Sequence, residues 1–497
     1  MNQLPFIERA IGHGRRTAIC GGGASYTYQD ICRQSELIAA AVLNGEDDLK
    51  ESRVAFQMRP GAEYIAALWG IWRAGGIAVP LSLSATQEEL VSTLSDSQSE
   101  VVVAEYGRES DVAAITQRQK IRLVTEEDIR NAGCVELPQV APDRRAMMLY
   151  TSGTTSRPKG VVTTHLNIQA QIQSLIDAWH WNSEDRIPLF LPLHHIHGII
   201  NIVCCALWSG AKIEPFQRFD TETILRRVAE DAWSVFMAVP TIYVKLVSAL
   251  ESMSDADRTV ITDGFRRMRL MVSGSAALPA SVHTRWADLT GQKLLERYGM
   301  TEIGMALSNP YHGERRPGAV GQPLPGVGIR LQSETGELIS DEDVSGEIQV
   351  RGANVFQEYW NRPDVTGESF TDGWFRTGDI AVLERGYYRI MGRNSVDIIK
   401  SGGYKLSALE IEASLLDHSS IAECAVVGIP DQTWGEVVAA AVVLRPGRNI
   451  EMTELRNWCK VRVSAYKVPR MLLIVKELPR NSLGKVKKPA VRILFES

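Results

Sequence analysis

A chain of 497 residues exceeds the usual single-domain size, so at least two domains are expected, each large enough to bury its own core. Apolar residues at 44% and charged residues at 23% exclude a disordered or fibrous protein. A formal net charge of -5, with acids and bases interspersed, argues against a nucleic-acid partner or a polybasic membrane anchor.

The N-terminal run MNQLPFIERAIGHGRRTAIC has no apolar signal core, and Glu8 arrives too early for an Arg-rich, acid-poor transit peptide. No stretch approaches about 20 continuous apolar residues, so a soluble protein is expected, with the cytoplasm as its default location. The seven cysteines (Cys20, Cys32, Cys134, Cys204, Cys205, Cys424, Cys459) are scattered, without zinc-ligand or redox spacing, and read as free thiols in a reducing compartment. From 27 to 104, helical patterns such as YQDICRQSELIAAAVL alternate with the short apolar runs VAFQM, IAVPL and VVVAE, the rhythm of α/β layers. It continues to about 310 through MMLYTSG, IPLFLPL and SVFMAVP, runs that end in Pro-, Ser- or Gly-bearing loops where ligands are expected. Between 317 and 394, VGIRLQ, GEIQVRG and GYYRIMG with DG and RG turns predict short, mostly antiparallel strands. Helix and strand alternation then returns to the end of the chain. The expected organisation is an α/β protein: an N-terminal domain over 1–394, layered α/β with a β-rich subdomain, and a small mobile α+β C-terminal domain over 395–497.

The segment YTSGTTSRPKG, Tyr150 to Gly160, packs hydroxyls, glycines and one lysine into a short loop after an apolar run. Small residues let backbone N–H groups approach phosphate oxygens, the hydroxyls of Thr151, Ser152, Thr154 and Thr155 beside Gly153 add donors, and Lys159 adds positive charge. A flexible surface connection has the same composition, and the spacing is not that of the common P-loop.

That segment resembles the phosphate-loop signature of the adenylate-forming superfamily, which includes acyl-CoA synthetases, peptide-synthetase adenylation domains and luciferases. SGSAALP at 273–279, RYGMTE at 297–302, GWFRTGD at 373–379, GR at 392–393, GGYKLSALEIE at 402–412 and PRNSLGKVKK at 479–488 resemble its other motifs, in order along nearly the whole chain. The resemblance implies two half-reactions: an acid carboxylate attacks the α-phosphate of ATP, giving an acyl-adenylate and pyrophosphate, and a thiol then displaces AMP. It implies that Lys485 bridges carboxylate and α-phosphate, that Thr301 donates to the α-phosphate, and that Glu302 holds Mg2+. The ATP and AMP contacts it implies are Thr151, Ser152, Gly153, Thr154, Thr155, Lys159, Gly274, Ser275, Ala276, Glu296, Tyr298, Gly299, Thr301, Asp379 and Arg393, with Tyr298 on adenine and Asp379 on the ribose. Gly402, Gly403 and Tyr404 would line the path of the CoA thiol. GRNSVDIIKSGG resembles the hinge about which the C-terminal domain turns between the two steps, with one residue more than usual between Arg393 and Asp397.

Arg297 directly precedes the adenine tyrosine, and His197 lies in LPLHHIHG, the other expected wall of the acid pocket. A buried guanidinium demands an anionic partner, and a second carboxylate on the substrate would supply it. The Arg-before-Tyr arrangement, HHIHG and SVDIIKSGGYKLSALEIE resemble the malonyl-CoA synthetases. That likeness implies that Arg297 and His197 hold the distal carboxylate of malonate, with Ser273 and Met305 completing a small pocket; methylmalonate adds only a methyl group, which gives limited discrimination, so its acceptance is expected as well. Two alternatives remain open: a synthetase for another short or medium-chain acid, with Arg297 in a structural ion pair, or a stand-alone adenylation domain that loads a carrier protein.

Overall fold

The structure, a computed structural model, describes residues 4–151, 158–402, 404–480 and 486–495. Its N-terminal part is layered α/β, as the alternation of apolar runs and helical patterns predicts. Strands Arg145–Thr151, Ile77–Pro80, Arg53–Gln57, Val101–Ala104 and Arg122–Val124 lie side by side and parallel, and Lys159–Thr164 and Glu358–Tyr359 extend the sheet antiparallel at one edge. IAVP and VVVA are buried at every position, as parallel strands covered on both faces must be. Helix Tyr28–Leu43 starts at a Thr27/Asp30 capping box and packs on the almost wholly buried Ala62–Arg73. A Cβ at Gly70 would stand 2.9 Å from Ile38, so glycine permits that close helix pairing.

A second sheet carries strands Val235–Ala238, Leu270–Ser273 and Leu295–Met300 in parallel, then turns antiparallel through Gly304–Ser308 and Gln322–Pro323. The strand at that change of direction, Leu295–Met300, contains most of RYGMTE. Its Glu296 lies opposite Ser273 of the neighbouring strand and accepts the Leu278 N–H at 3.1 Å, which holds the loop after Leu270–Ser273 in place. Burial raises the Glu296 carboxyl to about 8.

The β-rich region forms a six-stranded antiparallel sheet between Gly328 and Arg393, with Trp374–Glu384 and Tyr387–Arg393 its longest strands. After a turn over 394–397 the chain enters another sheet, Ile398–Ser401, Tyr404–Ser407, Ile421–Asp431, Gly435–Leu444 and Met471–Ile474. Its apolar clusters, which include Ile399, Ile411, Val426 and Leu455 on one side and Val427, Ala439 and Val491 on the other, are separate from the N-terminal core. Lys488 sits between two carboxylates there, 2.6 Å from Asp397 and 2.7 Å from Glu412, all three largely buried. Among the described residues no helix is long and apolar enough to cross a membrane.

Two stability predictions follow from these buried charges. Lys488→Met leaves two carboxylates close together without their cation, so unfolding in urea should show the C-terminal region destabilised by about 3 kcal/mol; a change below about 0.5 kcal/mol would refute the ion triad. Glu296 has a folded pKa above its unfolded value, so between the two the native state binds more protons and stability falls as pH rises from about 4.5 toward 8. Glu296→Gln keeps an acceptor for Leu278 and removes that slope. Thermal melts should show the variant gaining on the parent as pH rises from 5 to 8, by on the order of 1 kcal/mol or more; parallel curves would refute it.

Candidate active site

Consecutive residues of Leu295–Met300 reach different surroundings. Arg297 is 3% exposed, and no Asp or Glu among the described residues lies within ion-pair distance of it. Among the described residues its Nε has no hydrogen-bond partner, and its Nη2 reaches only the Ser275 hydroxyl, at 3.5 Å. The structural ion pair that would make Arg297 a packing residue is therefore missing among the described residues. Burial pulls the guanidinium down to about 9, which leaves it charged at neutral pH. Gly274 makes room for it: a Cβ there would stand 2.5 Å from Cζ. Ser275 has φ of 72°, a left-handed conformation uncommon outside glycine and characteristic of functional loops.

His197 begins the π-helix His197–Cys204, and its Nδ1 lies 3.1 Å from the same Ser275 hydroxyl. Burial, reinforced by the Arg297 charge, holds the imidazole well below its ordinary pKa, so it is neutral. Arg297 can only donate, which makes Ser275 Oγ the acceptor there; its second lone pair and its hydrogen let it either accept from or donate to His197 Nδ1. His197 Nε2 has no partner among the described residues. Ser273 Oγ is likewise buried and unpartnered, and Met305 is buried with its Cε 2.7 Å from where a Gly299 Cβ would stand. The site thus holds an arginine and a free imidazole nitrogen with no anion from the described residues. Asn201, one turn along the helix from His197, is wholly buried with both amide atoms unpartnered, and nothing in the sequence singles it out.

Tyr298 donates its hydroxyl to Asp379 Oδ2 at 2.5 Å, and Arg393 Nε donates to Asp379 Oδ1 at 3.3 Å. Asp379 and Arg393 are cross-strand partners in the β-rich sheet, so register alone brings TGD and GR together. Burial raises the Asp379 carboxyl, and Arg393 opposes the shift. Gly299 follows Tyr298 on the same strand, Ala276 lies exposed in the loop after Leu270–Ser273, and Glu296 holds that loop through Leu278.

Thr151 and Lys159 are partners at the ends of two antiparallel strands, and Ser152, Gly153, Thr154 and Thr155 between them lie outside the described residues. Thr301 and Glu302 occupy the tight turn before Gly304–Ser308, where Gly304 adopts φ of 60° and a Cβ would collide with the Gln171 side chain. Glu302 is 5% exposed, accepts the Tyr359 hydroxyl at 2.9 Å, and feels the charges of both Arg393 and Lys159. Burial raises its carboxyl. No group of three or more His, Cys, Asp or Glu side chains among the described residues forms a metal cage. A single buried carboxylate does suit a hard cation that takes its remaining ligands from phosphate and water.

In the C-terminal region Gly402, at φ of 57°, lies under the Trp434 ring, which a Cβ would approach to 2.8 Å. Tyr404 is exposed and stacks on Tyr466 with centroids 4.4 Å apart. Gly403 and Lys485 lie outside the described residues.

Two family models match, the AMP-binding enzyme over residues 6–360 and the AMP-binding enzyme C-terminal domain over 410–485. The mitochondrial malonate–CoA ligase ACSF3 of Xenopus laevis is 42% identical over 99% of this chain and 92% of its own length. The malonate–CoA ligase of Arabidopsis thaliana is 38% identical over 97% of this chain and 86% of its own. Among solved structures, ATP-bound MatB from Rhodopseudomonas palustris superposes with a TM-score of 0.90 at 32% identity, covering 100% of this chain and 99% of that one. The sequence motifs, the layered fold and these matches agree, and the chain belongs to the AMP-binding enzyme family.

Proposed function

We propose that this enzyme is a malonate–CoA ligase that converts malonate, ATP and CoA to malonyl-CoA, AMP and pyrophosphate. The observation that carries the reading is the buried Arg297, charged and without a carboxylate from the described chain. The distal carboxylate of malonate supplies that partner, taking two N–H groups of the guanidinium and, in the tautomer protonated at Nε2, the N–H of neutral His197. Ser273 and Met305 close the small space around it. The names of the relatives, malonate–CoA ligases from vertebrate and plant sources, support the same substrate.

In the first step the reacting carboxylate attacks the α-phosphate and pyrophosphate leaves; in the second the CoA thiol attacks the acyl carbon and AMP leaves. Positioning and charge neutralisation suffice for in-line attack at phosphorus, so no protein nucleophile is needed. Tyr298 offers its ring to adenine, with Gly299 and Ala276 along the same wall. Asp379 and Arg393 hold the ribose hydroxyls, while Gly274, Ser275 and Glu296 shape the loop between nucleotide and acid. Thr151, Ser152, Gly153, Thr154, Thr155 and Lys159 take the phosphates, and Thr301 and Lys485 meet the α-phosphate as charge builds there. Magnesium, bound by Glu302 and phosphate oxygens, would neutralise part of the triphosphate charge. Gly402, Gly403 and Tyr404 line the thiol's approach after the C-terminal domain, 395–497, has turned against the 1–394 domain about the 394–397 connection. Methylmalonate adds a single methyl group, so slower turnover rather than exclusion is expected. The proposed site of action is a reducing compartment, with the cytoplasm the first to test by fractionation against the mitochondrial location named for the vertebrate relatives.

The deciding experiment is CoA-dependent AMP release with malonate, methylmalonate, succinate, acetate and hexanoate. Malonate should be preferred, with free CoA a sufficient acceptor. Arg297→Ala should lower kcat/KM for malonate about 100-fold or more, as loss of a buried charge-assisted pair does, while ATP affinity changes less than about threefold. Unchanged malonate turnover in that variant, or acetate or hexanoate outcompeting malonate in the parent, would overturn the substrate. A requirement for a carrier-bound thiol would overturn the acceptor.

A further inference from the structure

Tyr359 belongs to none of the motifs above, yet its side chain touches both charged groups at the phosphate end of the site. Its hydroxyl donates to Glu302 Oε1 at 2.9 Å, and the Lys159 ammonium stands 4.3 Å from its ring centroid. The chain around it is fixed by backbone contacts to the same two elements. Tyr359 pairs with Val161 of the strand that begins at Lys159, Trp360 N donates to Gly160 O at 2.8 Å, and Phe356 N donates to Glu302 O at 2.7 Å. Phe356 packs edge-on to the phenol with centroids 4.8 Å apart, and Tyr359 is 4% exposed. The ring is therefore held rigidly between the phosphate-loop strand and the turn that carries Glu302.

One phenol does two electrostatic tasks here. Its π face attracts an ammonium, and its O–H donates to a carboxylate. We propose that Tyr359 is a positioning residue for the first half-reaction: it holds Lys159 toward the triphosphate with its ring and aims the free oxygen of Glu302 at the magnesium ion with its hydroxyl. Phenylalanine would serve the lysine alone, and leucine neither group. Facing a carboxylate oxygen, the phenol hydroxyl is the donor of the pair. The inference rests on the reading of Glu302 as the magnesium carboxylate.

Its test separates the two contacts and does not use turnover. ATP binding is measured by calorimetry without acid or CoA, as a function of Mg2+ concentration, for the parent, Tyr359→Phe, Tyr359→Leu and Glu302→Gln. Tyr359→Phe should raise the Mg2+ concentration for half-maximal effect about five- to tenfold and leave metal-free ATP affinity unchanged, because the ring remains under Lys159. Tyr359→Leu should show the same metal shift and a further loss of about three- to fivefold in metal-free ATP affinity. Thermal melts of the same samples register packing loss independently. An unshifted magnesium profile in Tyr359→Phe, or equal loss of metal-free and metal-bound affinity in both tyrosine variants, would overturn the positioning role. Glu302→Gln without any change in magnesium dependence would instead overturn the metal reading beneath it, whatever substrate the parent enzyme prefers.

Discussion

A guanidinium withdrawn from water without a counter-charge among the described residues is the constraint around which this site is arranged. Isolated buried charge is among the most costly features a folded chain can keep, and Arg297 keeps it next to a serine hydroxyl and a neutral imidazole. The surroundings are shaped to tolerate it. Gly274 removes the Cβ that would occupy the guanidinium's place, and Ser275 accepts a left-handed backbone so that its hydroxyl lies between Arg297 and His197. The acids of the surrounding segments are engaged elsewhere: Glu296 accepts from Leu278, Glu302 from Tyr359, and Asp379 from Tyr298 and Arg393.

The strand Leu295–Met300 distributes these tasks. A residue on each side of Arg297 points to a different partner, Glu296 to the loop beneath and Tyr298 to the β-rich sheet, so one short segment fixes the acid pocket and the nucleotide wall at once. The register shift between Tyr298 and Gly299 in its pairing with Gly304–Ser308 lies where these groups diverge, and bulges commonly serve to re-aim side chains. In the proposed reading, position along the strand would set the spacing between acid and nucleotide, the alignment that in-line phosphoryl chemistry requires.

Much of this was legible from local signals. Alternating apolar runs and amphipathic patterns encode α/β layers through burial on one or two faces, and DG and RG turns with short runs encode the antiparallel region. Arg297 and His197 stood out because arginine and histidine are unusual in walls expected to be apolar. Other features arise from tertiary contacts between segments far apart in sequence. Ser275 is a small residue in a small-residue loop, and only its backbone angle and its distance to two segments reveal its place between Arg297 and His197. Tyr359 lies more than fifty residues from Glu302 and about two hundred from Lys159, and a two-residue strand is too short to show periodicity. Asp379 and Arg393 were each readable in a motif, but their pairing follows from strand register.

The turn at 394–397 shows how the chemistry and the fold constrain one another. Asp397 accepts from Arg393 N through Oδ2 and pairs with Lys488 through Oδ1, so one carboxylate connects the strand that supplies Arg393 to the helix Lys488–Ile493 near the chain's end. A Cβ at Gly392 would stand 2.4 Å from Asp397 Cβ, so glycine permits this close fold of the turn. The residue added between Arg393 and Asp397 lengthens the turn while the carboxylate still reaches back to the strand end. If the C-terminal region turns about this connection, as proposed, the connection must hold a definite geometry and release it at modest cost. Hydrogen bonds and ion pairs suit that requirement better than apolar packing, because water can replace their partners as they separate. The apolar clusters of the two regions stay separate, so a rotation there would disturb polar contacts before it disturbed either core.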